Sequence, residues 1–463
     1  MKLSEINSPK DIRGMDYKAL ENLADEIREK IITTVHESGG HLASNLGVVE
    51  LTLALHRVFD TPNDKIIFDV GHQTYTHKLI TGRYKNFNTL RTHNGLSGFP
   101  RYSESEYDNF EVGHASTAIS AALGMARSRD LKNENHNVVA VVGDGALTGG
   151  MCYEALNDAG LANTRLIVIL NDNEMSISKN VGALSTYLSK IRTSSGYRFA
   201  KDTVRKGALN IPIIGPLFHS VLHFFKSIFK YLLVRENFFA PLGFHYLGPI
   251  DGHDIKAVES ILGKAKTFKA PVLIHCCTKK GLGYKKAEAK PEKYHGVSPK
   301  KNDTSKEIKQ PIDSGKIASL TLLKEMEENK RIVVITAAMS TGTSTCLIKE
   351  KYPERYFDVG IAEEHALTMC AGLAKTGMKP YFFVYSTFFQ RCIDQMIHDV
   401  YLQNLPVTLM LDRSGLSGQD GVTHHGIYDI SLLNTMSDVK IFAPANNNEL
   451  EQIVHYSTNI NKP

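Results

Sequence analysis

Two short stretches of the chain carry residue types that could do chemistry. Gly143-Asp144-Gly145 and Asn171-Asp172-Asn173 lie in a 463-residue chain, each directly after a run of apolar, mostly β-branched residues. A carboxylate and an amide oxygen beside a helix N-terminus suit a hard divalent cation that also holds phosphate oxygens. Glycines let the backbone come close to those oxygens. One such turn alone is more often conformational, since Gly and Asp close turns for local reasons. Two of them at this spacing favour a cation–phosphate site.

The elements that must position these turns are legible around them. Val138–Val142 and Leu166–Leu170 have the length and composition of buried parallel strands. Ala146 to Gly160 spaces its apolar residues like a helix, with Gly160 suited to its C-terminal end. In open parallel sheets, ligands bind beyond the carboxyl ends of the strands, so Asp144 and Asn173 should emerge side by side.

The pattern recurs along the chain. Tyr17–Ser38 reads as an amphipathic helix, and the Gly-Gly-His turn ending at His41 enters a second helix through the capping residues Ser44 and Asn45. Strand Lys65–Val70 ends in His72; Glu111–Ser116 carries His114 and opens a small-residue helix, Ala118–Ala126. Further strands are expected at Phe244–Leu247 and Val272–Cys276. A second unit follows, with strands at Arg331–Thr336, Arg355–Val359, Lys379–Val384, Val407–Leu411 and Val439–Phe442. Their ends deliver Tyr385, Arg413 and Asn446; Glu363 opens a helix, and another begins at about Asn447. The expected fold is α/β, with two doubly wound, mostly parallel sheets. The expected division is residues 1–289, a linker over 290–314 rich in Lys, Pro, Asn and Asp, and residues 315–463.

Composition narrows the function classes. Hydrophobic content of 42%, charged content of 22% and a net charge of +5 describe an ordinary globular chain with no long basic run. That balance suits a phosphorylated small molecule better than nucleic acid. The six cysteines show no CxxC spacing, which favours reduced thiols over zinc or a disulfide framework. No apolar stretch is long enough to span a bilayer, and the N-terminus lacks a leader's apolar core, so the cytoplasm is expected.

The segments HLASNLG, FDVGHQTYTHKLITGR, VGHASTAISAALGMA, VGDGALTGGMCYEALNDAG, LNDNEMSISKNVGAL, YFDVGIAEEHA, YSTFFQRCIDQ and DRSGLSGQDGVTHHG occur in this order. Together they resemble the 1-deoxy-D-xylulose-5-phosphate synthase family of transketolase-like thiamine diphosphate enzymes. The resemblance implies condensation of pyruvate with D-glyceraldehyde 3-phosphate, feeding isoprenoid, thiamine and pyridoxal biosynthesis. It also implies a homodimer and a cofactor of thiamine diphosphate with Mg2+. Mapped onto this sequence, Asp144, Asn173 and the Met175 carbonyl would hold the metal. His72, Gly113, His114, Ala115, Gly145, Ala146, Asn173, Tyr284 and Phe388 would contact the cofactor. Ala115 stands where many relatives carry Ser. His41, His295, Tyr385, Arg391, Asp420 and His424 would serve catalysis on the substrate side, and Arg413 the substrate phosphate. His41, His72, His295 and His424 are expected to shuttle protons and stabilise an oxyanion near neutral pH.

Glu363 is the expected catalytic acid. The cofactor's pyrimidine must be held in its imino form by a carboxylic acid donating to N1′, and burial raises a carboxyl's pKa in the needed direction. A helix-N-terminal Glu serving only the dipole, worth about 0.3–1 kcal/mol, describes Glu364 better. By the same resemblance, residues 190–240 form a flap over the site rather than a membrane-surface helix, although Val221–Leu233 is amphipathic. The family's third α/β domain has no counterpart in these 463 residues. A fragment, or a form working without that domain or with one from another chain, is expected. The competing expectations are another transketolase-type transferase and a truncated cofactor-binding paralogue with weak or no turnover.

Overall fold

Every ladder in the sheets is parallel, as the unbroken apolar runs require. The structure, a computed structural model, describes residues 1–162, 164–175, 181–193, 238–300, 313–418 and 420–463. Strands β1 (Lys65–Phe68), β2 (Val138–Gly143), β3 (Ile167–Asp172), β4 (His245–Asp251) and β5 (Val272–Cys277) form one sheet in the order β1-β2-β3-β5-β4. Strands β6 (Ile332–Thr336), β7 (Tyr356–Asp358), β8 (Lys379–Tyr385) and β9 (Thr408–Asp412) form a second, in the order β7-β6-β8-β9.

A parallel sheet buries both faces, so successive residues of a strand go to different cores. The first sheet is covered by α1 (Tyr17–Ser38), α2 (Val49–Val58), α3 (Ala118–Leu131), α4 (Gly150–Leu161) and α5 (Ile255–Ala265). Val139, Val141, Ile167 and Ile169 pack with α1, α2 and α5. Their neighbours Val138, Ala140, Val142, Val168 and Leu170 pack on the other face with α3 and α4. The second sheet repeats this: Val333 and Ile335 face α7 (Glu363–Lys375), while Ile332 and Val334 face α6 (Ser314–Glu328) and α8 (Asn447–Ser457). Side-chain caps start the helices where the sequence offers them, as where Asp16 accepts from the Ala19 N–H at 2.8 Å.

Several local expectations need correction. Val439–Phe442 forms no strand: Ile441 and Phe442 are exposed, and the Lys440 N–H bonds to the Pro463 carbonyl instead of a ladder. Apolar content alone suggested the strand, and among the described residues β9 keeps its outer edge unpaired. Ser44 and Asn45 do not cap a helix; they lie inside the short turn Ala43–Leu46. Asn45 uses its amide to tie two loops, donating to the His41 and His72 carbonyls at 2.7 Å each and accepting from the Tyr75 N–H. Gly160 does not terminate its helix, which runs on to Leu161. The helix over Val221–Leu233, and most of the proposed flap with it, lies outside the described residues. The first part of the expected linker packs back on the first unit. Gly40 and Val297 exchange backbone hydrogen bonds, and the Ala43 N–H donates to the Tyr294 carbonyl.

Gly160 is glycine for want of space: a Cβ there would lie 1.6 Å from the Leu242 carbonyl oxygen. Gly263 in α5 has nothing within 4 Å of the same position. Gly160→Ala should therefore lose about 1–3 kcal/mol in urea unfolding despite better helix propensity, while Gly263→Ala should gain up to about 1 kcal/mol. Equal effects at the two positions would contradict this account.

Candidate active site

The β2 and β3 turns meet as the register demands. Gly143 lies opposite Asn171, and the Asp144 N–H donates to the Asn171 carbonyl at 3.1 Å, so Asp144 leaves the sheet beside Asp172 and Asn173. Burial raises the Asp144 carboxyl well above its usual range, and the neighbouring Asp172 adds to this. Glu174 takes a φ of 63°, and the Asn173 Oδ1 accepts from the Met175 N–H at 3.1 Å, folding the turn back on itself. A Cβ at Gly143 would meet nothing within 4 Å, so the strand tip opens onto free space. The Gly145 N–H bonds to the Asp144 carboxylate at 3.1 Å, and Ala146 is buried behind it.

Lys280, which sequence reasoning passed over within Lys-Gly-Leu-Gly-Tyr, is buried here. Burial pulls its ammonium down to about 8, and Asp144 opposes that pull. A buried ammonium, an acid and an amide at strand ends open to approach are the donor set that a metal-bound diphosphate requires. A second donor set was not foreseen: Asp172, His275 and Cys277 hold their ligand atoms within 4.8 Å of one another. Its acid and imidazole already satisfy each other at 2.8 Å, with Tyr246 on the far ring nitrogen at 2.7 Å.

His41, His72 and His295 converge as a cluster. Their ring centroids are 5.3 Å (His41–His72), 5.4 Å (His41–His295) and 5.3 Å (His72–His295) apart. Burial lowers all three, His41 to about 3, with neighbouring positive groups adding to the effect. The same cause takes His424 to about 4. These rings stand as neutral imidazoles, and the Nδ1 atoms of His41 and His72 have no hydrogen-bond partner. Tyr284 packs edge-on against His36 and against Tyr294, the residue before His295.

The second sheet presents its own carboxyl end to the same space. Glu363 begins α7 and is buried, its Oε2 without a partner. Burial raises the carboxyl to about 7, opposed by Arg391, whose Nη1 lies 3.8 Å away. Arg391 turns its Nη2 to the Ala115 carbonyl at 2.5 Å. His114 Nε2 meets the Thr387 hydroxyl and the Thr423 carbonyl at 3.0 Å each, and its ring meets the half-buried Phe388 edge-on at 5.0 Å. A Cβ at Gly113 would strike Thr423 at 2.5 Å, so glycine allows this approach. Asp420 pairs with Arg91 at 2.6 Å, His424 stacks on Phe99 at 5.0 Å, and Arg413 lies over the Tyr385 ring at 3.9 Å. Arg91 and Phe99 sit in a loop without a motif, so no sequence signal pointed to them.

One chain thus brings the tips of both sheets together around a buried acid whose Oε2 makes no hydrogen bond. The first half of the chain, residues 3–278, matches the 1-deoxy-D-xylulose-5-phosphate synthase family, and residues 310–463 match the transketolase pyrimidine-binding domain. The chain belongs to the 1-deoxy-D-xylulose-5-phosphate synthase family. A 1-deoxy-D-xylulose-5-phosphate synthase of Halothermothrix orenii is 52% identical over 461 residues, covering 99% of this chain and 72% of that one. One from Carboxydothermus hydrogenoformans is 52% identical over 462 residues, with 100% and 74% covered. A transketolase from Campylobacter jejuni overlays at a TM-score of 0.45 with 17% identity, over 97% of this chain and 78% of that one. Membership of the 1-deoxy-D-xylulose-5-phosphate synthase family makes the chain a transferase of the transketolase type, a family whose cofactor is thiamine diphosphate. The unpartnered Glu363 oxygen and the strand-tip donors fit that group.

A carboxyl raised from 4.5 in the unfolded chain to about 7 contributes stability that is complete below pH 4.5 and lost as pH rises through 7. The loss amounts to about 3 kcal/mol. Cofactor-free Glu363→Gln, which lacks it, should unfold at a higher temperature than the parent protein at pH 8. The difference should shrink toward pH 5. A pH-independent difference in thermal scans would count against the raised carboxyl.

Proposed function

We propose that this chain condenses pyruvate with D-glyceraldehyde 3-phosphate to 1-deoxy-D-xylulose 5-phosphate, releasing CO2 and taking up one proton. The bond between the pyruvate carboxyl and carbonyl carbons breaks, and a bond forms from that carbonyl carbon to the aldehyde carbon. Thiamine diphosphate, when bound, would supply the cationic ring that takes up the electron pair left by decarboxylation. Mg2+ on the diphosphate would be held by Asp144, Asn173 and the Met175 carbonyl, with Lys280 adding positive charge. The observation that carries the proposal is Glu363: a buried acid, its carboxyl raised by burial, with one oxygen that makes no hydrogen bond. It holds a proton toward the pyrimidine ring.

The other residues orient and polarise. Neutral His41, His72 and His295 offer ring N–H groups to a developing oxyanion and exclude water from it. His424, Tyr385 and Arg391 line the acceptor side with Asp420, and Phe388 gives the pyrimidine an aromatic face. Arg413, exposed over Tyr385, suits the acceptor's phosphate. The assembly is a homodimer working in the cytoplasm, in a route to isoprenoid precursors. No described helix is long and apolar enough to cross a membrane.

The protein loaded with thiamine diphosphate and Mg2+ should release 14CO2 from carboxyl-labelled pyruvate faster when D-glyceraldehyde 3-phosphate is added. Release unaffected by the aldehyde would remove this assignment. A donor requirement for a ketose phosphate would favour another transketolase-type reaction. Glu363→Gln should cut turnover by about 10^3-fold while calorimetric cofactor affinity changes by less than about threefold. Retained activity would refute the role given to Glu363.

A further inference from the structure

Asp69, directly after β1, belongs to no part of the chemistry above, yet it is 1% exposed and its carboxylate accepts hydrogen bonds from a loop of the site. Its Oδ1 accepts from the Ser116 N–H at 2.8 Å and its Oδ2 from the Ala118 N–H at 3.0 Å. Ser116 sits at a φ of 74°, a left-handed conformation that a non-glycine residue keeps only when its surroundings impose it. Its hydroxyl donates to the Ala146 carbonyl at 2.7 Å, two residues past Asp144. The loop is clasped from outside as well: a Cβ on Gly149 would fall 2.2 Å from the Ser116 Oγ and 3.4 Å from the Ile361 carbonyl.

The residue before Ser116 is the one that meets the second sheet. Ala115 offers its carbonyl to Arg391 Nη2 at 2.5 Å, while Arg391 Nη1 remains 3.8 Å from Glu363 Oε2. A guanidinium has five donors in a fixed fork and closes on a carboxylate whenever nothing better directs it. Here the Ala115 carbonyl directs it.

We propose that Asp69 is a positioning residue for the catalytic acid: by holding Ser116 in its left-handed conformation it aims the Ala115 carbonyl at Arg391, and so keeps that guanidinium from closing on Glu363. The proposal rests on the reading of Glu363 as the group facing the pyrimidine. The titratable and charged groups that face Glu363 are Arg391, its neighbour Glu364 and Cys392 on the adjoining turn. Among these, the guanidinium is the one whose approach the first sheet controls.

The test follows the pH dependence of the near-ultraviolet circular dichroism induced in bound thiamine diphosphate, with Mg2+ and without substrates. Asp69→Asn presents an amide N–H to one of the two backbone N–H groups and should free the loop. Arg391 then closes on Glu363, and the midpoint of the titration should fall by about one pH unit, with kcat at neutral pH dropping about tenfold and KM for pyruvate nearly unchanged. Asp64→Asn is the control for simple destabilisation. Asp64 is equally buried at the other end of β1, where it accepts from the Asn137 and Asp60 N–H groups at 2.6 and 2.7 Å. It should lower thermal stability without moving the midpoint. Should Asp69→Asn not fold, Ser116→Ala, which removes only the bond to Ala146, should shift the midpoint in the same direction. A midpoint unmoved in the folded variants, or moved equally by Asp64→Asn, overturns the proposal. Glu363→Gln separates the two layers: a midpoint that survives this change shows that Glu363 is not the titrating group, whereas its loss with an unmoved Asp69→Asn rejects only the positioning role.

Discussion

Desolvation at the seam between the two sheets governs what this chain can do. The same removal of water acts with opposite sign on acids and bases. It raises Glu363 to about 7 and Asp144 well above a normal aspartate, and lowers His41 to about 3 and Lys280 to about 8. Charged forms are thus held back on both sides of the seam. Groups in that condition respond strongly to any charge brought among them, because the local dielectric does little to screen it. Neutral imidazoles and a half-protonated carboxyl are donors, which a site that stabilises a developing oxyanion needs.

The division of labour follows from the topology. Strand tips of the first sheet carry short acids, amides and glycine, groups that suit a cation and phosphates at close backbone approach. The second sheet carries Glu363, Arg391 and an aromatic wall at Tyr385 and Phe388, stacked 5.9 Å apart. Ring contacts cross between them, with His114 against Phe388 and His424 on Phe99. Polar contacts join them as well, such as Arg391 to Ala115 and Asp420 to Arg91. Each ties a group with a chemical role on one side to backbone or a counter-charge on the other.

Two buried networks hold the loops that reach this seam. Asp108 accepts from Arg83 at 2.7 Å, meets His77 at 2.8 Å and takes the Arg101 N–H at 2.8 Å, while Glu104 receives Lys78 at 2.6 Å and the Ser97 N–H at 2.6 Å. Together they fix the segment that carries Arg91 and Phe99. On the other flank Glu50 binds Arg28 and His253, and His253 accepts from the Lys279 N–H at 2.8 Å, next to Lys280. Removing one partner of a buried pair leaves an uncompensated charge, so such networks hold a geometry more than they add stability.

Much of this was legible in the sequence. Unbroken β-branched runs can be buried only on both faces, so Val138–Val142 and Leu166–Leu170 specified parallel strands, and parallel strands put Asp144 and Asn173 at one edge. Glu363 was legible because its helix start is surrounded by Ile361, Ala362 and Ala366. The failures share a cause. Gly160, Asn45 and Val439–Phe442 were read from local propensity, whereas their roles are set by the Leu242 carbonyl, two histidine loops and the Pro463 carbonyl, all distant in sequence. Arg91 lacks any local signature, and Asp69 and Lys280 lie in quoted stretches that gave no reason to single them out. The sequence by itself determined which elements form and which chemical groups stand at their ends, because periodicity and turn chemistry are properties of neighbours. Only the tertiary structure decided the protonation of those groups and which of them remain unpaired, because desolvation and pairing depend on what the rest of the chain brings within a few ångströms.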